Sequence, residues 1–274
     1  MEMPQHLCPC HLKPRSSNDS RELRVENECC RVLCKTNTQG FVLVSPEKTG
    51  CHQIGDLANR PYPLSWAGNS RQGQGPNQKD LLHYCKEPSI DVIVLSFIHL
   101  FPAQANGLPG SNFGNQCRGA VYQGPGRDRS RDALQADCPR LRSQVAACQR
   151  RHGKKLLLSL GGGTSGYQLT GAAAGRAFAD QLWALFGPPD RASRLPRPFG
   201  DAADLDGFDL DIEHPPTDGG AGYRALAAGL RAHFASPAGR RKPRYLTASP
   251  QCVVPDSNLS AVVRAVRFDA LFIR

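Results

Sequence analysis

Continuous apolar runs of strand length recur along the chain from about residue 90 onward. They occupy 90–97, 154–160, 205–212, 244–249 and 268–273. Such runs, of which 205–212 also carries acids, are typical of strands that are buried on both faces of a parallel sheet. The pattern therefore predicts a set of parallel strands with helices covering them.

Segments with apolar residues at helical spacing separate these runs. In 222–234, Tyr223, Leu226, Leu230 and Phe234 share one helical face. Similar patterns predict helices over 77–86, 133–151, 173–186 and 257–267. Strands that alternate with helices indicate an α/β fold with right-handed crossovers. The Gly- and Pro-rich stretch 101–132 is predicted to be a long loop after an early strand.

Composition and charge exclude several classes of protein. The chain has 274 residues, of which 40% are hydrophobic, which suits one or two globular domains. It has no run of about 18 apolar residues, so no membrane span is predicted. The net charge is +10, yet the basic clusters at 127–131 and 240–244 lack interleaved aromatic residues, so nucleic-acid binding is not predicted. We interpret these clusters as solvated loop charge, with weak attraction to an acidic polymer as the alternative.

Residues 1–60 differ from the rest of the chain. Hydrophobic periodicity is sparse there, and no apolar core of a secretory signal is found near Met1. The segment holds six of the eleven cysteines: Cys8, Cys10, Cys29, Cys30, Cys34 and Cys51. Their spacing fits no usual zinc pattern, so a metal site is less favoured than a disulfide-bearing or disordered leader, or than a stretch foreign to any natural domain. We expect 1–60 to be an atypical, poorly ordered leader and 61–274 to form the domain.

Three carboxylates follow one another at alternate positions of a predicted strand. Asp209, Asp211 and Glu213 point to one face, whereas Phe208, Leu210 and Ile212 point to the other. Like charges this close cannot all be ionised at low cost, so such a row is expected where the acids perform chemistry. An acidic metal site or a solvated edge strand would also explain the row, but the bulky apolar face argues against an edge.

A run of small residues follows the preceding strand. Ser159-Leu160-Gly161-Gly162-Gly163 lacks the glycine register and the Gly-Lys-Ser/Thr ending of nucleotide-binding loops. The alternative is that these glycines let a substrate ring lie close to the backbone.

Two motifs carry a resemblance to a known family. Asp206-Gly-Phe-Asp-Leu-Asp-Ile-Glu213 resembles the Asp-Gly-x-Asp-x-Asp-x-Glu signature of family 18 glycoside hydrolases, and Leu158-Ser-Leu-Gly-Gly162 resembles their Ser-x-Gly-Gly motif. Over 62–274 the sequence looks like the hevamine-type class III chitinases of plants and fungi. The resemblance implies an α/β fold, a (β/α)₈ TIM barrel with its site at the C-terminal strand ends. About six of the eight strands are present, so we expect an incomplete barrel.

The resemblance also implies a mechanism. Glu213 would be the general acid, and the N-acetyl oxygen of the sugar would attack the anomeric carbon, so no protein nucleophile, cofactor or metal is needed. Asp211 would orient the acetamido group, and Asp209 would share a proton with Asp211. Residues expected to bind substrate or support the site are Asp206, Ser159, Gly161, Gly162 and Gln251. The expected outcome is retaining hydrolysis of β-1,4-linked N-acetylglucosamine.

The cysteines of the domain fit the same resemblance. It pairs Cys85 with Cys148 and Cys117 with Cys138, and it leaves Cys252 without a partner because the chain stops at Arg274. Disulfides imply an extracellular protein, although no signal peptide is recognised. The sequence is therefore expected to be truncated at the C-terminus and atypical at the N-terminus.

The expected partner is chitin or a chito-oligosaccharide, bound by a monomer without nucleic acid or membrane. The alternative function is a non-catalytic carbohydrate-binding or inhibitor protein on the same fold. His99 and His214 are expected near strand ends as loop or supporting residues, because the implied mechanism needs no histidine.

Overall fold

A computed structural model describes residues 79–117, 119–251, 253 and 255–273, together with three short strands nearer the N-terminus. These strands are β1 (Val32–Cys34), β2 (Val42–Val44) and β3 (Leu64–Ala67). Apart from the strand assignments, the expectations for residues 1–60 and their cysteines lie outside the described residues. The expectation for Cys252 does as well.

One sheet contains all the strands that the structure describes. The remaining members are β4 (Val92–Leu100), β5 (Gly110–Ser111), β6 (Lys155–Gly162), β7 (Gly207–Ile212), β8 (Tyr245–Ala248) and β9 (Ala270–Ile273). The strand order is β1-β9-β8-β7-β6-β4-β3-β2, and β5 pairs with β4. Neighbours from β3 through β4, β6, β7 and β8 to β9 are parallel. β1 is also parallel to β9, whereas β2 pairs antiparallel with β3. The described strands thus include seven consecutive parallel strands, six of them within residues 64–273, in a TIM-barrel-type sheet that is open in the part of the chain described.

Helices connect the parallel strands as the hydrophobic spacing predicts. They are α1 (Leu81–Cys85), α2 (Pro139–His152), α3 (Ala172–Phe186), α4 (Ala221–Ala235) and α5 (Ser260–Val263). The bounds of α3 and α4 agree with the sequence prediction to within one residue at each end. The apolar residues of both helices and Phe208, Leu210 and Ile212 of β7 are buried in the same main hydrophobic cluster, where the Phe208 ring stacks on Phe234 of α4. The apolar face of β7 therefore points toward the helices, and its carboxylates point away from them.

Three predicted helices begin later than expected. The helix predicted over 77–86 begins at Leu81. The stretch 133–138 is not helical, and α2 begins at Pro139, whose ring suits the first turn of a helix. The predicted helix 257–267 reduces to α5. Before it, the Asp256 carboxylate accepts hydrogen bonds from the amides of Asn258 (2.9 Å) and Leu259 (3.1 Å). These amides close a turn before the helix starts.

The stretch 101–132 is a packed excursion. Phe101, Leu108 and Phe113 are buried in the main cluster. The Asp132 carboxylate accepts hydrogen bonds from the Asn106 side-chain amide and the Gly124 backbone amide, each at 2.7 Å. The bond from Asn106 is the largest cause that holds the pKa of Asp132 below its usual value. Apolar anchors and one carboxylate thus give this loop a defined path.

Two disulfides join α1 and the loop to α2. Cys85 is bonded to Cys148 and Cys117 to Cys138, the pairing implied by the resemblance. No helix within the described residues is long and apolar enough to span a bilayer.

Candidate active site

The carboxylates of β7 lie at different depths along one line. Asp209 is 1% exposed and Asp211 is 5% exposed, whereas Glu213 lies just beyond the end of β7 and is half-buried. Strand alternation places all three on the face opposite the helices. The row therefore runs from the interior of the sheet to its C-terminal edge, where active sites of TIM barrels are found.

Hydroxyl groups from both neighbouring strands surround Asp209. Its carboxylate accepts hydrogen bonds from Ser159 Oγ of β6 at 3.0 Å, from Thr247 Oγ1 of β8 at 2.6 Å and from Ser249 Oγ at 3.2 Å. The parallel register places Ser159 and Thr247 directly beside Asp209. The sequence motifs on β6 and β7 thus meet at one carboxylate, which these donors hold in a fixed orientation.

Gly161 and Gly162 allow β6 to end close to the acids. Their φ angles are +108° and +87°, a region that residues with a Cβ rarely adopt. A Cβ on Gly161 would lie 2.4 Å from the Asp211 carbonyl oxygen, and one on Gly162 would lie 3.1 Å from the Phe97 ring. Backbone conformation and close approach therefore both require glycine at Gly161, which pairs with Asp211 across the strands.

Tyr167 is a central residue of the site that sequence reasoning missed. Its ring is 1% exposed, and its hydroxyl donates to the Gly162 carbonyl oxygen at 3.0 Å and accepts from the Glu213 backbone amide at 3.0 Å. It thereby links the ends of β6 and β7. No periodic or charged pattern marks this tyrosine, because its partners are backbone atoms distant in sequence.

The loops after β6 and β7 are joined by further contacts. His214 Nε2 lies 2.6 Å from the Tyr167 carbonyl oxygen, and the two rings pack with centroids 4.2 Å apart. Gln168 Nε2 donates to the Pro215 carbonyl oxygen at 3.3 Å. His214 therefore braces the loop that carries Glu213. His99 lies within β4, near its C-terminal end, and burial lowers its pKa.

Asp218 fixes the two helices that follow these loops. Its carboxylate accepts hydrogen bonds from the amides of Gly171 (2.7 Å), Gly220 (2.9 Å) and Gly222 (2.8 Å). Burial raises the pKa of Asp218, but the backbone hydrogen bonds together outweigh burial and leave the pKa below its usual value. Because Gly171 precedes α3 and Gly222 lies in the first turn of α4, one side chain aligns both helix starts.

Asp206 lies at the opposite end of β7 from Glu213. Its carboxylate accepts hydrogen bonds from the Leu156 amide (2.9 Å), Gln149 Nε2 (2.7 Å) and Lys242 Nζ (2.9 Å). The structure thus places Asp206 among groups that join the N-terminal ends of the strands, away from the other acids.

Gln251 follows β8 and is exposed on the side of the sheet where β7 also ends. Within the part of the chain that the structure describes, no group of three or more His, Cys, Asp or Glu side chains is arranged to hold a metal ion.

Known proteins resemble this chain over most of its length. The sequence pattern of Glycosyl hydrolases family 18 matches residues 64–274. The chain belongs to this family. It is 41% identical over 207 residues to a probable endochitinase of Arthroderma benhamiae, a match that covers 74% of this chain and 27% of that protein. The chain spans about a quarter of the length of the curated relatives it matches.

Solved structures similar to this chain share its fold. A chitinase of Ipomoea carnea matches with a TM-score of 0.57 and 29% identity, covering 74% of this chain and 64% of that one. A xylanase and α-amylase inhibitor protein of Scadoxus multiflorus matches with a TM-score of 0.57 and 28% identity, covering 73% and 62%. The same architecture thus occurs in proteins described as a chitinase and as an inhibitor.

Proposed function

We propose that this family 18 domain hydrolyses β-1,4-N-acetylglucosamine linkages of chitin, with Glu213 as the general acid. The observation that carries the proposal is the row Asp209, Asp211 and Glu213, which leads from a buried, hydroxyl-lined position to the C-terminal edge of the sheet. The endochitinase names of the fungal relatives support the choice of substrate.

Glu213 donates a proton to the leaving glycosidic oxygen. Its half-buried position at the strand end allows contact with a sugar chain lying across the open face. The hydrogen bond from its backbone amide to Tyr167 fixes where the side chain starts. A general acid must hold its proton within hydrogen-bond reach of the acceptor oxygen, so this backbone anchor contributes directly to catalysis.

The N-acetyl oxygen of the sugar acts as the nucleophile, and Asp211 orients the acetamido nitrogen as positive charge develops there. Asp209 lies deeper in the same row and shares a proton with Asp211. The three hydroxyl groups around Asp209 keep its carboxylate in place during this exchange. The reaction forms an oxazolinium intermediate and retains the anomeric configuration, without a cofactor or metal.

We also propose the class III, hevamine-type subfamily, an extracellular location and a monomeric state. The two disulfides support an oxidising compartment. Ser159, Gly161 and Gly162 lie on β6 beside the acids of β7, and Gln251 follows β8. We propose that these four residues bind the substrate or support the residues that do. Asp206 supports the strand starts rather than the substrate.

The experiment compares the chain with Glu213→Gln on a chromogenic chitotrioside. Loss of the general acid should lower kcat by about 10²–10⁴-fold, while binding of unlabelled chitotriose should persist because Gln keeps the shape of Glu. Proton NMR of the first product should show the β-anomer. Equal turnover by the two proteins, or an α-anomer as first product, would overturn the proposal.

A non-catalytic inhibitor or carbohydrate-binding protein is the second candidate, favoured by the similarity to the Scadoxus multiflorus inhibitor. It predicts chitotriose binding with no turnover in either protein, or inhibition of a xylanase or an α-amylase by the wild-type chain. The same titration and assay distinguish the two candidates.

A further inference from the structure

Strand β8 and the residue that follows it place two hydroxyl groups against the buried Asp209 carboxylate. Thr247 Oγ1 donates to Oδ1 of Asp209 at 2.6 Å, and Ser249 Oγ donates to Oδ2 at 3.2 Å. From the other side, Ser159 Oγ of β6 donates to Oδ2 at 3.0 Å. The three hydroxyl-bearing residues are at most 3% exposed. Each oxygen of the carboxylate thus has a buried donor from the β8 side.

Backbone pairing fixes where these two hydroxyl groups lie. The parallel register aligns Thr247 with Asp209, and the Ser249 amide still donates to the Leu210 carbonyl oxygen at 2.8 Å. Alternate residues of a strand point to the same face, so Thr247 and Ser249 both face the row of acids. Their contacts with Asp209 follow from the sheet itself rather than from a loop.

The geometry of these bonds favours the ionised form of Asp209. A carboxylate has about four acceptor positions and no hydrogen of its own, and three of them are used by hydroxyl groups. The 2.6 Å bond from Thr247 falls in the range of about 2.5–2.7 Å that is typical of a hydroxyl bonded to an ionised oxygen. Bonds between neutral oxygen groups are usually longer, at about 2.7–2.8 Å.

The layer of side chains that precedes Asp209 on this face is apolar. It is a separate hydrophobic cluster of Val92, Val94, Leu157 and Tyr245. Burial next to such a layer disfavours a charged carboxylate, whereas hydrogen bonds to the charged form favour it and gain strength where the dielectric constant is low. The donors therefore act against burial, and the balance of the two effects decides at which pH Asp209 takes up a proton.

Titratable groups that face Asp209 from the described strands belong to β7 and β8. They are Asp211, Glu213 and Tyr245. The β6 residues on this face do not titrate in the relevant range: Leu157, Ser159 and Gly161. A nearby carboxylate, when ionised, favours proton uptake by Asp209 because like charges repel. The uncharged donors on β8 therefore also act against this repulsion.

We propose that Thr247 and Ser249 are positioning residues that keep Asp209 ionised, so that the proton shared by the two aspartates is held on Asp211. The inference rests on the proposed function, in which Asp209 and Asp211 share one proton. When the pH falls, Asp209 takes up a second proton, and the pair loses the negative charge that stabilises the positive charge developing on the acetamido group. The donors on β8 thus set the lower pH limit of turnover.

The test measures kcat on a chromogenic chitotrioside as a function of pH for the full chain and its variants. Thr247→Val keeps the shape of the side chain and deletes the hydroxyl group, so the acid limb of the profile should move up by about 1–2 pH units, the usual effect of one hydrogen bond to a charged group. Ser249→Ala should move it in the same direction by a smaller amount, because that bond is longer. Thr247→Ser restores a hydroxyl group and should return the limb toward its wild-type position.

Ser111→Ala is the matched control. It deletes a hydroxyl group from a residue that is 5% exposed on β5, where the Ser111 Oγ accepts from the Gln135 amide at 3.0 Å. Its acid limb should coincide with that of wild type, and melting temperatures check that all variants fold. If Thr247→Val does not fold, the upward shift in Ser249→Ala decides the question.

A second measurement does not depend on turnover. Carbon NMR of protein labelled at the aspartate carboxyl carbons follows the titration of Asp209, whose signal is identified by its loss in Asp209→Asn. The midpoint should rise in Thr247→Val by the same amount as the acid limb. An inactive wild-type protein would remove the proposed function, yet this titration would still test the role of the two hydroxyl groups.

Three results would overturn the proposal. The first is an unmoved Asp209 midpoint in both Thr247→Val and Ser249→Ala. The second is a loss of kcat that is equal at every pH, which would mean that the hydroxyl groups only contribute to packing. The third is an equal shift of the acid limb in Ser111→Ala, since any buried hydroxyl group would then have the same effect.

Discussion

The Tyr167 hydroxyl accepts a hydrogen bond from the Glu213 backbone amide, with 3.0 Å between oxygen and nitrogen. The same hydroxyl donates to the Gly162 carbonyl oxygen, also at 3.0 Å. One buried oxygen thus sets the spacing between the glycine end of β6 and the acid end of β7. Glu213 lies just beyond the end of β7. Its amide therefore bonds to the Tyr167 hydroxyl instead of to a neighbouring strand.

Tyr167→Phe removes this oxygen and keeps the ring. We expect kcat on a chitotrioside to fall about ten-fold, equivalent to about 1.4 kcal/mol of barrier, because the backbone that carries Glu213 loses its anchor. KM should change less than two-fold, since the ring and the surrounding loops remain. Steady-state kinetics separates the two quantities.

Tyr84→Phe is the matched control, because it deletes the same atom from a half-buried tyrosine on α1. Urea unfolding should show a loss of about 1–2 kcal/mol for Tyr167→Phe and less for the control. An unchanged kcat for Tyr167→Phe would contradict a positioning role. This includes the case in which the whole loss of kcat/KM comes from a higher KM.

The sequence predicted the row of acids in this site but not Tyr167, and the difference has a physical reason. Strand alternation alone placed Asp209, Asp211 and Glu213 on one face, since the side-chain period of two follows from backbone geometry. Tyr167 could not be found this way, because its hydroxyl bonds to backbone atoms, which every residue has. Specific contacts of that kind depend on how two loops meet, and no local pattern records it.

Gly161→Ala tests the close approach of β6 and β7. A residue with a Cβ at positive φ costs about 1–2 kcal/mol, and here the Cβ would also lie 2.4 Å from the Asp211 carbonyl oxygen. Overpacking of that kind typically costs about 1–3 kcal/mol more. We expect a total loss of about 2–5 kcal/mol in urea unfolding, together with loss of turnover, because Asp211 must shift.

Gly171→Ala isolates the strain from the clash. Gly171 has φ +88°, and a Cβ there would meet nothing within 4 Å. It should therefore lose only about 1–2 kcal/mol and keep its activity. Equal losses for the two variants would mean that backbone strain, rather than contact with the acid strand, explains the glycine at 161.

The lowered pKa of Asp218 predicts that the folded protein loses stability in acid. This pKa is below the usual value in the folded protein, so the carboxylate contributes stability that is complete above its unfolded pKa of about 3.9. This contribution is lost as the pH falls through the lower folded pKa. Asp218→Asn should reduce the free energy of unfolding at pH 7, and its difference from wild type should shrink below about pH 4.

Urea titrations at pH 7, pH 5 and pH 3 provide the measurement. Asp190→Asn is the control, because Asp190 is exposed and its carboxylate accepts from one local amide, that of Ala192, at 2.9 Å. A difference between Asp218→Asn and wild type that stays constant down to pH 3 would contradict the role of the charge.

The fold was predicted better than the lengths of some elements. The helices α3 and α4 follow strong apolar periodicity, and the structure confirms them. The helix predicted over 257–267 was too long, because only Ser260–Val263 is helical and the Asp256 carboxylate caps a turn that precedes it. The stretch 101–132 gave no periodic signal, since single buried residues such as Phe101 and Phe113 anchor it. Long-range side-chain contacts, rather than local propensity, decide the path of that stretch.

The two disulfides should contribute unequally to stability. The sequence separations are 63 residues for Cys85–Cys148 and 21 residues for Cys117–Cys138. A cross-link restricts the unfolded chain more when it closes a longer loop, which corresponds to about 4 and about 3 kcal/mol for the two bonds. Replacing both cysteines of a pair by Ala should therefore cost about 1 kcal/mol more for Cys85 and Cys148, measured by urea unfolding.

The comparison between the pairs is sharper than either value alone. All four cysteines are at most 3% exposed, so each double Ala variant deletes the same buried atoms and leaves a similar cavity. Dithiothreitol breaks the same disulfide bonds in the wild-type protein. In its presence, the free energies of unfolding of wild type and each variant should differ only by the cost of the cavity. If loss of the shorter loop cost as much as loss of the longer one, the bonds would act mainly through folded-state packing of α1 and the loop against α2, and the chain-entropy explanation would be wrong.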